Sequence, residues 1–252
     1  MWYLLRSLPG AFYRSEEAFW RICASTGARE ESSPQKGVGA KMEKLITLKI
    51  DGKEVRAREG MTVLEAAKEA GIKIPTLCYH EKLEPYGACR ICCVEVTRRG
   101  RSQVVASCGY PVEGGIEVKT RSEKISKIRK TIIELIAPSL SAVGLVGKVS
   151  ELADEYGADT SFFVSRFKTT PTRCILCGQC VRYCSEVVAA NAIGFVGRGV
   201  GRRVVFLPER ASRFCPTCHE CYDVCPTGKI AAETDGSIFP EFSIDDFLSG
   251  KM

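Results

Sequence analysis

The sequence predicts an α+β chain assembled from small domains, and three observations predict it. Residues 45–70 read as a strand, a two-residue turn, a return strand and a capped helix. Apolar residues recur at helical spacing through 123–137. Most of the 14 cysteines then fall into three tight groups, two of them between Cys174 and Cys225. With 252 residues, the chain has room for two or three such domains.

The first 41 residues differ in character from the rest of the chain. Met1 to Leu5 is apolar, but Arg6, Arg14, Glu16, Glu17 and Arg21 interrupt, and no small-residue cleavage site comes after them. A signal peptide is therefore not expected. Residues 25–41 are rich in Ser, Gly, Lys and Glu, the composition of a linker. Met42-Glu43-Lys44 stands directly before a strand. The expectation is that the natural start is Met42 and that 1–41 is a leader outside the native protein. A docking helix around Ala11–Ile22 is the alternative.

Leu45–Ile50 is a strand, Asp51-Gly52 a hairpin turn and Lys53–Ala57 the return strand. In Thr62-Val63-Leu64-Glu65, hydroxyl and carboxylate can each cover an unpaired amide, which makes a capping box. The helix runs to about Ala70 and stops at Gly71. This order suggests a small sheet wrapped on one helix, over 42–120, with a further short strand around Gly115–Val118. Ile125, Ile128, Ile132, Ile133 and Ile136 mark a helix over 123–137, and a second lies near Val149–Tyr156, ending at Gly157. Together they make a helical linker over 121–166. The two long cysteine runs fill a domain over 167–232, each leading into a short helix, with Gly194–Pro208 as a hairpin between them. Residues 233–252 mix Phe239, Phe242, Ile244 and Phe247 with Glu241, Asp245 and Asp246. That pattern suits a docking tail, and a solvated tail is the blander alternative.

Apolar content of 45% and charged content of 26% describe a globular chain. No apolar run reaches 18 residues, so no direct membrane insertion is expected. The short C-x2-C repeats argue for metal rather than disulfides. The formal charge of +6 invites a nucleic-acid reading. Twelve ligand thiolates, set against three inorganic cores of about +2 each, would bring the loaded protein near neutrality. Nucleic acid is therefore not expected as a partner.

The long runs are Cys174-x2-Cys177-x2-Cys180-x3-Cys184 and Cys215-x2-Cys218-x2-Cys221-x3-Cys225-Pro226. This spacing holds paired [4Fe–4S] clusters, because three thiolates wrap one cubane and the fourth comes from the other run. Cys174, Cys177, Cys180 and Cys225 are thus the ligands expected for one cluster, and Cys215, Cys218, Cys221 and Cys184 for the other. Ser185 stands where the pattern places proline after Cys184. Zinc sites use two separated ligand pairs rather than quartets, so a zinc-bound structural or nucleic-acid module is the weaker reading. The earlier group, Cys78-x10-Cys89-x2-Cys92-x15-Cys108, suits a [2Fe–2S] cluster on loops of a strand-rich domain. Gly87-Ala88 would let the backbone approach its sulfides. Cys93 reads as a small core residue, with ligation in place of Cys92 as the alternative, and Cys23 is given no role.

Other candidates carry less. His80 and His219, the only histidines, adjoin cluster cysteines. Either could tune a potential through a hydrogen bond, and packing is the preferred reading. Gly194, Gly197, Gly199 and Gly201 follow the wrong order for a nucleotide loop and lack a βαβ unit, so turn chemistry is expected. Thr227-Gly228-Lys229 lacks the upstream glycine of a P-loop. No catalytic set stands out.

The segments Leu77-Cys78-Tyr79-His80-Glu81, Gly87-Ala88-Cys89-Arg90-Ile91-Cys92, Arg173 to Cys184 and Ile193 to Gly199 resemble the iron–sulfur subunit of NADH-linked redox complexes. These include the amino-terminal module of the large complex I subunit, the small diaphorase subunit of NAD-reducing hydrogenases, and related hydrogenases and formate dehydrogenases. The resemblance spans about Leu45 to Ile230. It implies a β-grasp [2Fe–2S] ferredoxin domain, a helical link and a two-[4Fe–4S] ferredoxin-like domain. It also implies electron transport between a flavin-containing, NAD(P)H-linked subunit and a catalytic subunit in the cytoplasm, where reducing conditions preserve clusters. The family usually adds a His-x3-Cys-x2-Cys-x5-Cys site in the middle domain. Here no His or Cys lies between Cys108 and Cys174. Three clusters with about 10 iron atoms are therefore expected, not four with about 14. A free multi-cluster carrier is the alternative to a complex subunit.

Overall fold

The computed structural model describes residues 44–140, 144–166 and 172–230. The leader with its proposed docking helix and Cys23, and the tail over 233–252, lie outside the described residues.

β1 (Leu45–Ile50) and β2 (Lys53–Arg58) pair antiparallel from Leu45 opposite Arg58 to Ile50 opposite Lys53. Asp51 and Gly52 both turn through positive φ, at 49° and 79°, as the tight hairpin requires. Alternation buries Leu48 and Ile50 from one strand and Val55 and Ala57 from the other. α1 (Val63–Glu69) comes next. The Thr62 hydroxyl accepts from the Glu65 amide at 3.3 Å, and the Thr62 amide donates to the Glu65 carboxylate at 2.7 Å. The capping box is thereby complete, and it aims Val63, Leu64, Ala66 and Ala67 into the core.

A long irregular segment leads to β3 (Cys93–Arg98) and β4 (Arg101–Ala106), a second antiparallel hairpin. β5 (Glu117–Lys119) runs parallel to β1 and antiparallel to β3, giving the order β2-β1-β5-β3-β4. Two hairpins flanking a parallel centre, with α1 laid across, make a β-grasp. Its core packs Leu48, Ile50, Val63, Ala67, Val94, Val96, Ile116 and Val118. The Asp51 carboxylate fastens the end of β5 by accepting from the Thr120 amide and hydroxyl.

α2 (Glu123–Ile136) starts at Ser122, whose hydroxyl accepts from the Ile125 amide. After it come a 3-10 turn (Ala137–Leu140), then α3 (Lys148–Tyr156), stopped by the left-handed Gly157, and α4 (Ser161–Arg166). These helices share their core with the cysteine-bearing segment before β3. Ile133, Leu140, Val149, Leu152 and Ala153 close over Leu77 and Ile91.

The carboxy-terminal part holds α5 (Gln179–Glu186), the hairpin of β6 (Ile193–Val196) with β7 (Arg203–Phe206), and α6 (Pro208–Cys218). The sequence places a helix after each cysteine run. A helical turn does follow the second run at 229–230, whereas α5 begins already inside the first run and carries Cys180 and Cys184, and a further helix, α6, enters the second run and carries Cys215 and Cys218. Pro208 starts α6 immediately after β7, since its fixed φ suits a first turn. His219, in the left-handed conformation at φ 50°, ends it. No helix among the described residues is long and apolar enough to cross a membrane.

Candidate metal centres

The first site grows out of the loop that the β-grasp leaves between α1 and β3. Cys78, Cys92 and Cys108 are buried and Cys89 is half-buried. The Cys89 amide donates to the Cys78 sulfur at 3.4 Å. The thiols meet in two hydrogen-bonded pairs, Cys78 with Cys89 and Cys92 with Cys108. Within each pair the shared proton draws Cys78 and Cys92 down from the usual thiol range and pushes Cys89 and Cys108 up. Backbone amides of Gly87, Ala88 and Ile91 also point at these sulfurs. Gly87 turns through φ 66° to bring its amide there. The Ser107 hydroxyl ties the strand end to the loop by donating to the Cys92 carbonyl at 2.8 Å. Cys93 sits buried in β3, and burial pushes its thiol up.

The other two sites cross between the runs. Cys174, Cys177, Cys180 and Cys225 line one cavity. Cys184, Cys215, Cys218 and Cys221 line another. The Leu176 amide donates to the Cys174 sulfur at 3.4 Å and the Ala192 amide to Cys184 at 3.2 Å. Burial, reinforced by the neighbouring thiols, pushes Cys177 and Cys221 up to about 12 and Cys215 to about 11, and raises Cys180 as well. Thiols raised this way ionise only against a cation, and metal binding must release their protons. All-sulfur quartets with backbone amides aimed at the sulfurs fit iron–sulfur clusters. So does the Nε of Arg173, a buried donor with no hydrogen-bond partner, one residue before Cys174. Among the described residues no three His, Cys, Asp or Glu side chains close on a point as ligands of one ion would.

The sites touch. The charge of Cys78 bears on Cys177, and that of Cys221 on Cys180. Gln179, buried between Cys177 and Cys180, donates to the Tyr79 carbonyl beside Cys78 at 2.8 Å. Arg182 donates to the Glu84 carbonyl at 2.7 Å, and Lys82 reaches the Tyr183 hydroxyl at 3.3 Å. A side chain on Gly178 would stand 3.4 Å from the Tyr86 ring. Sequence reasoning misses all of these contacts, because they pair loops far apart in the chain. It also misses Arg129, which does leave a signal: it stands on the apolar stripe between Ile125 and Ile133.

Both histidines pack. The His80 ring meets Tyr183 edge-on at 5.2 Å, and its Nδ1 accepts from the Lys82 amide. His219 stacks on Tyr222 at 4.9 Å. The glycines after β6 make a turn, in which a side chain on Gly197 would collide with the Gly201 carbonyl.

Residues 43–123 match the 2Fe-2S iron-sulfur cluster binding domain. Residues 165–231 match the ferredoxin-like domain of NADH-quinone oxidoreductase subunit 3. The NADPH-Fe(3+) oxidoreductase subunit alpha of Geobacter sulfurreducens is 36% identical over 207 residues, 75% of this chain and 24% of that protein. The mitochondrial NADH dehydrogenase [ubiquinone] iron-sulfur protein 1 of Solanum tuberosum is 32% identical over 209 residues, 76% of this chain and 28% of that protein. The chain thus spans about a quarter of the length of these relatives. Among solved structures, a chain of the NAD+-reducing [NiFe]-hydrogenase in the H2-reduced state superimposes with a TM-score of 0.60 at 29% identity. That match covers 73% of this chain and 86% of the other.

Proposed function

We propose that the chain, an iron–sulfur electron-transfer subunit related to those of NADH-linked oxidoreductases, connects a flavin-containing, NAD(P)H-linked subunit to a catalytic redox subunit. The observation that carries the finer reading is the crossing of the cysteines, since each predicted quartet of the two long runs lines its own cavity. On this reading Cys78, Cys89, Cys92 and Cys108 hold one [2Fe–2S] cluster. Cys174, Cys177, Cys180 and Cys225 hold the first [4Fe–4S] cluster, and Cys215, Cys218, Cys221 and Cys184 the second. When bound, the clusters supply the one-electron chemistry.

The chain's own residues bury the three sites, aim amides at their sulfurs and hold them in series. The charge of Cys78 reaches Cys177 and that of Cys221 reaches Cys180, which supports a series with the first [4Fe–4S] site between the other two. Gln179 pins the first junction through the Tyr79 carbonyl. The β-grasp domain is placed at 42–120, the helical linker without cluster ligands at 121–166, and the two-cluster domain at 167–232. The catalytic partner is a hydrogenase, a formate dehydrogenase or a similar reductase, and the compartment is the cytoplasm.

Anaerobic purification from native extract tests the reading. A flavoprotein and a catalytic subunit should co-purify, with about 10 iron atoms per chain of this subunit. About 14 iron atoms would refute the three-cluster count, elution alone would make the chain a free carrier, and zinc without acid-labile sulfide would overturn the whole assignment.

A further inference from the structure

Arg129 lies in the middle of α2, between Ile125 and Ile133 on the buried stripe, and only 1% of its surface is exposed. A buried guanidinium is costly to keep unless a negative charge answers it. Each of its nitrogens donates to an uncharged acceptor, and it also meets the Cys93 thiol, which burial pushes up. Nε donates to the Ile91 carbonyl at 3.1 Å, Nη2 to the Cys93 carbonyl at 2.7 Å and Nη1 to the Tyr156 hydroxyl at 2.9 Å. No carboxylate among the described residues pairs with it. Glu155 is reached only through the Tyr156 hydroxyl, and its part-exposed carboxylate already meets Arg121 at 3.8 Å.

The two carbonyls it holds flank Cys92. The Ile91 carbonyl and the Cys92 amide are opposite ends of one planar peptide. Holding the carbonyl fixes the amide at a proposed ligand. The Cys93 carbonyl lies where β3 has not yet met β5, since that pairing begins at Glu95. A neutral donor would satisfy both carbonyls, so hydrogen bonding alone does not call for a permanent charge. The one large negative charge expected next to this loop is the cluster held by Cys78, Cys89, Cys92 and Cys108. With four thiolates a [2Fe–2S] centre carries about −2 when oxidised and about −3 when reduced.

We propose that Arg129 is the built-in counter-charge of the [2Fe–2S] site, held under the Cys92 loop to favour the reduced cluster and set its reduction potential upward. The proposal rests on the ligand assignment above. A fixed cation stabilises whichever state nearby is more negative, and it does so most strongly where water is excluded. Arg129 is a positioning and tuning residue and holds no iron.

The test is a potentiometric titration of the full-length, anaerobically purified protein. It follows the electron paramagnetic resonance signal of the reduced [2Fe–2S] centre at a temperature where [4Fe–4S] signals have broadened away. R129Q keeps polar contacts but loses the charge. Its reduction equilibrium should move about tenfold toward the oxidised form, or about 59 mV more negative for a one-electron couple. R129K keeps the charge and should stay close to the unaltered protein. Y156F removes one hydrogen bond and should also leave the potential in place. If R129Q does not retain the cluster, Y156E sets a carboxylate against the intact guanidinium and should lower the potential in the same direction. The proposal is overturned if R129Q, or Y156E in its place, titrates with the unaltered protein. It is also overturned if R129K falls as far as R129Q, which would assign the effect to hydrogen-bond geometry. Lack of any [2Fe–2S] signal in the unaltered protein would instead strike the ligand assignment.

Discussion

The two ends of the molecule solve the problem of holding sulfur in opposite ways. In the β-grasp part the cysteines come from loops, and Cys92 and Cys108 join the edge of a hydrocarbon core built mainly from Leu48, Ile50, Val94, Val96 and Val118. In the carboxy-terminal part the cysteines are themselves the core. Cys180 and Cys184 pack with Ala190, Ala192, Ile193, Ala211 and Ile230, and Cys215, Cys221 and Cys225 close around them. Alanine and cysteine bury little area, and with Ile193 and Ile230 as its only large fully buried apolar side chains among the described residues this cluster has little to fold around. The difference teaches which fold exists before its cofactor does. The first part can fold and then offer a site, whereas the second needs the cofactor as its centre.

Removing iron should break the symmetry most visibly. After chelation, protection from hydrogen exchange should be lost across 174–230, while amides of β1, β3 and α1 stay protected. Equal loss in both parts would end the comparison. Single ligands come next. C225S should cost about 4 of about 10 iron atoms and, by opening the crossing, loosen the neighbouring site as well. C78S should cost about 2 and spare both [4Fe–4S] sites. Iron and sulfide analysis reads both outcomes.

Smaller changes sharpen the contrast. Gly147 opens α3 at φ 54°, and a Cβ there would stand 2.8 Å from the Pro226 carbonyl, next to Cys225. G147A should therefore cost about 1–3 kcal/mol, read as a lower melting temperature for the carboxy-terminal part. T62A removes the cap of α1 and should cost about 1 kcal/mol, confined to the β-grasp transition in a denaturant titration.

Legibility in the sequence divides along the same line. The hairpin at Asp51-Gly52, the capping box at Thr62 and Glu65, and the stop at Gly157 are local devices, and all three stand where the sequence places them. Helix α2 ends within a residue of the expected position, because its isoleucines repeat on one face. The crossed sets of cysteines that line the two carboxy-terminal cavities follow the spacing of the long runs. β4 is not legible, since Arg101-Ser102-Gln103 carries no apolar alternation and is defined by pairing with β3. The sequence reading starts the first helix too late, since α5 begins inside the run at Gln179, and it misses α6, which Pro208 starts ahead of the second run. Gln179, Arg182 and Arg129 act on carbonyls far away in the chain, and no local pattern announces such partners.

The exchange of Cys184 and Cys225 between the two cavities also imposes a timetable on synthesis. As the polypeptide leaves the ribosome, the four cysteines around the β-grasp have all emerged with Cys108. The cavity of Cys184 waits for Cys221, and that of Cys174 waits for Cys225. The long run translated first is therefore the last to close, because its cavity is complete only once Cys225 has emerged.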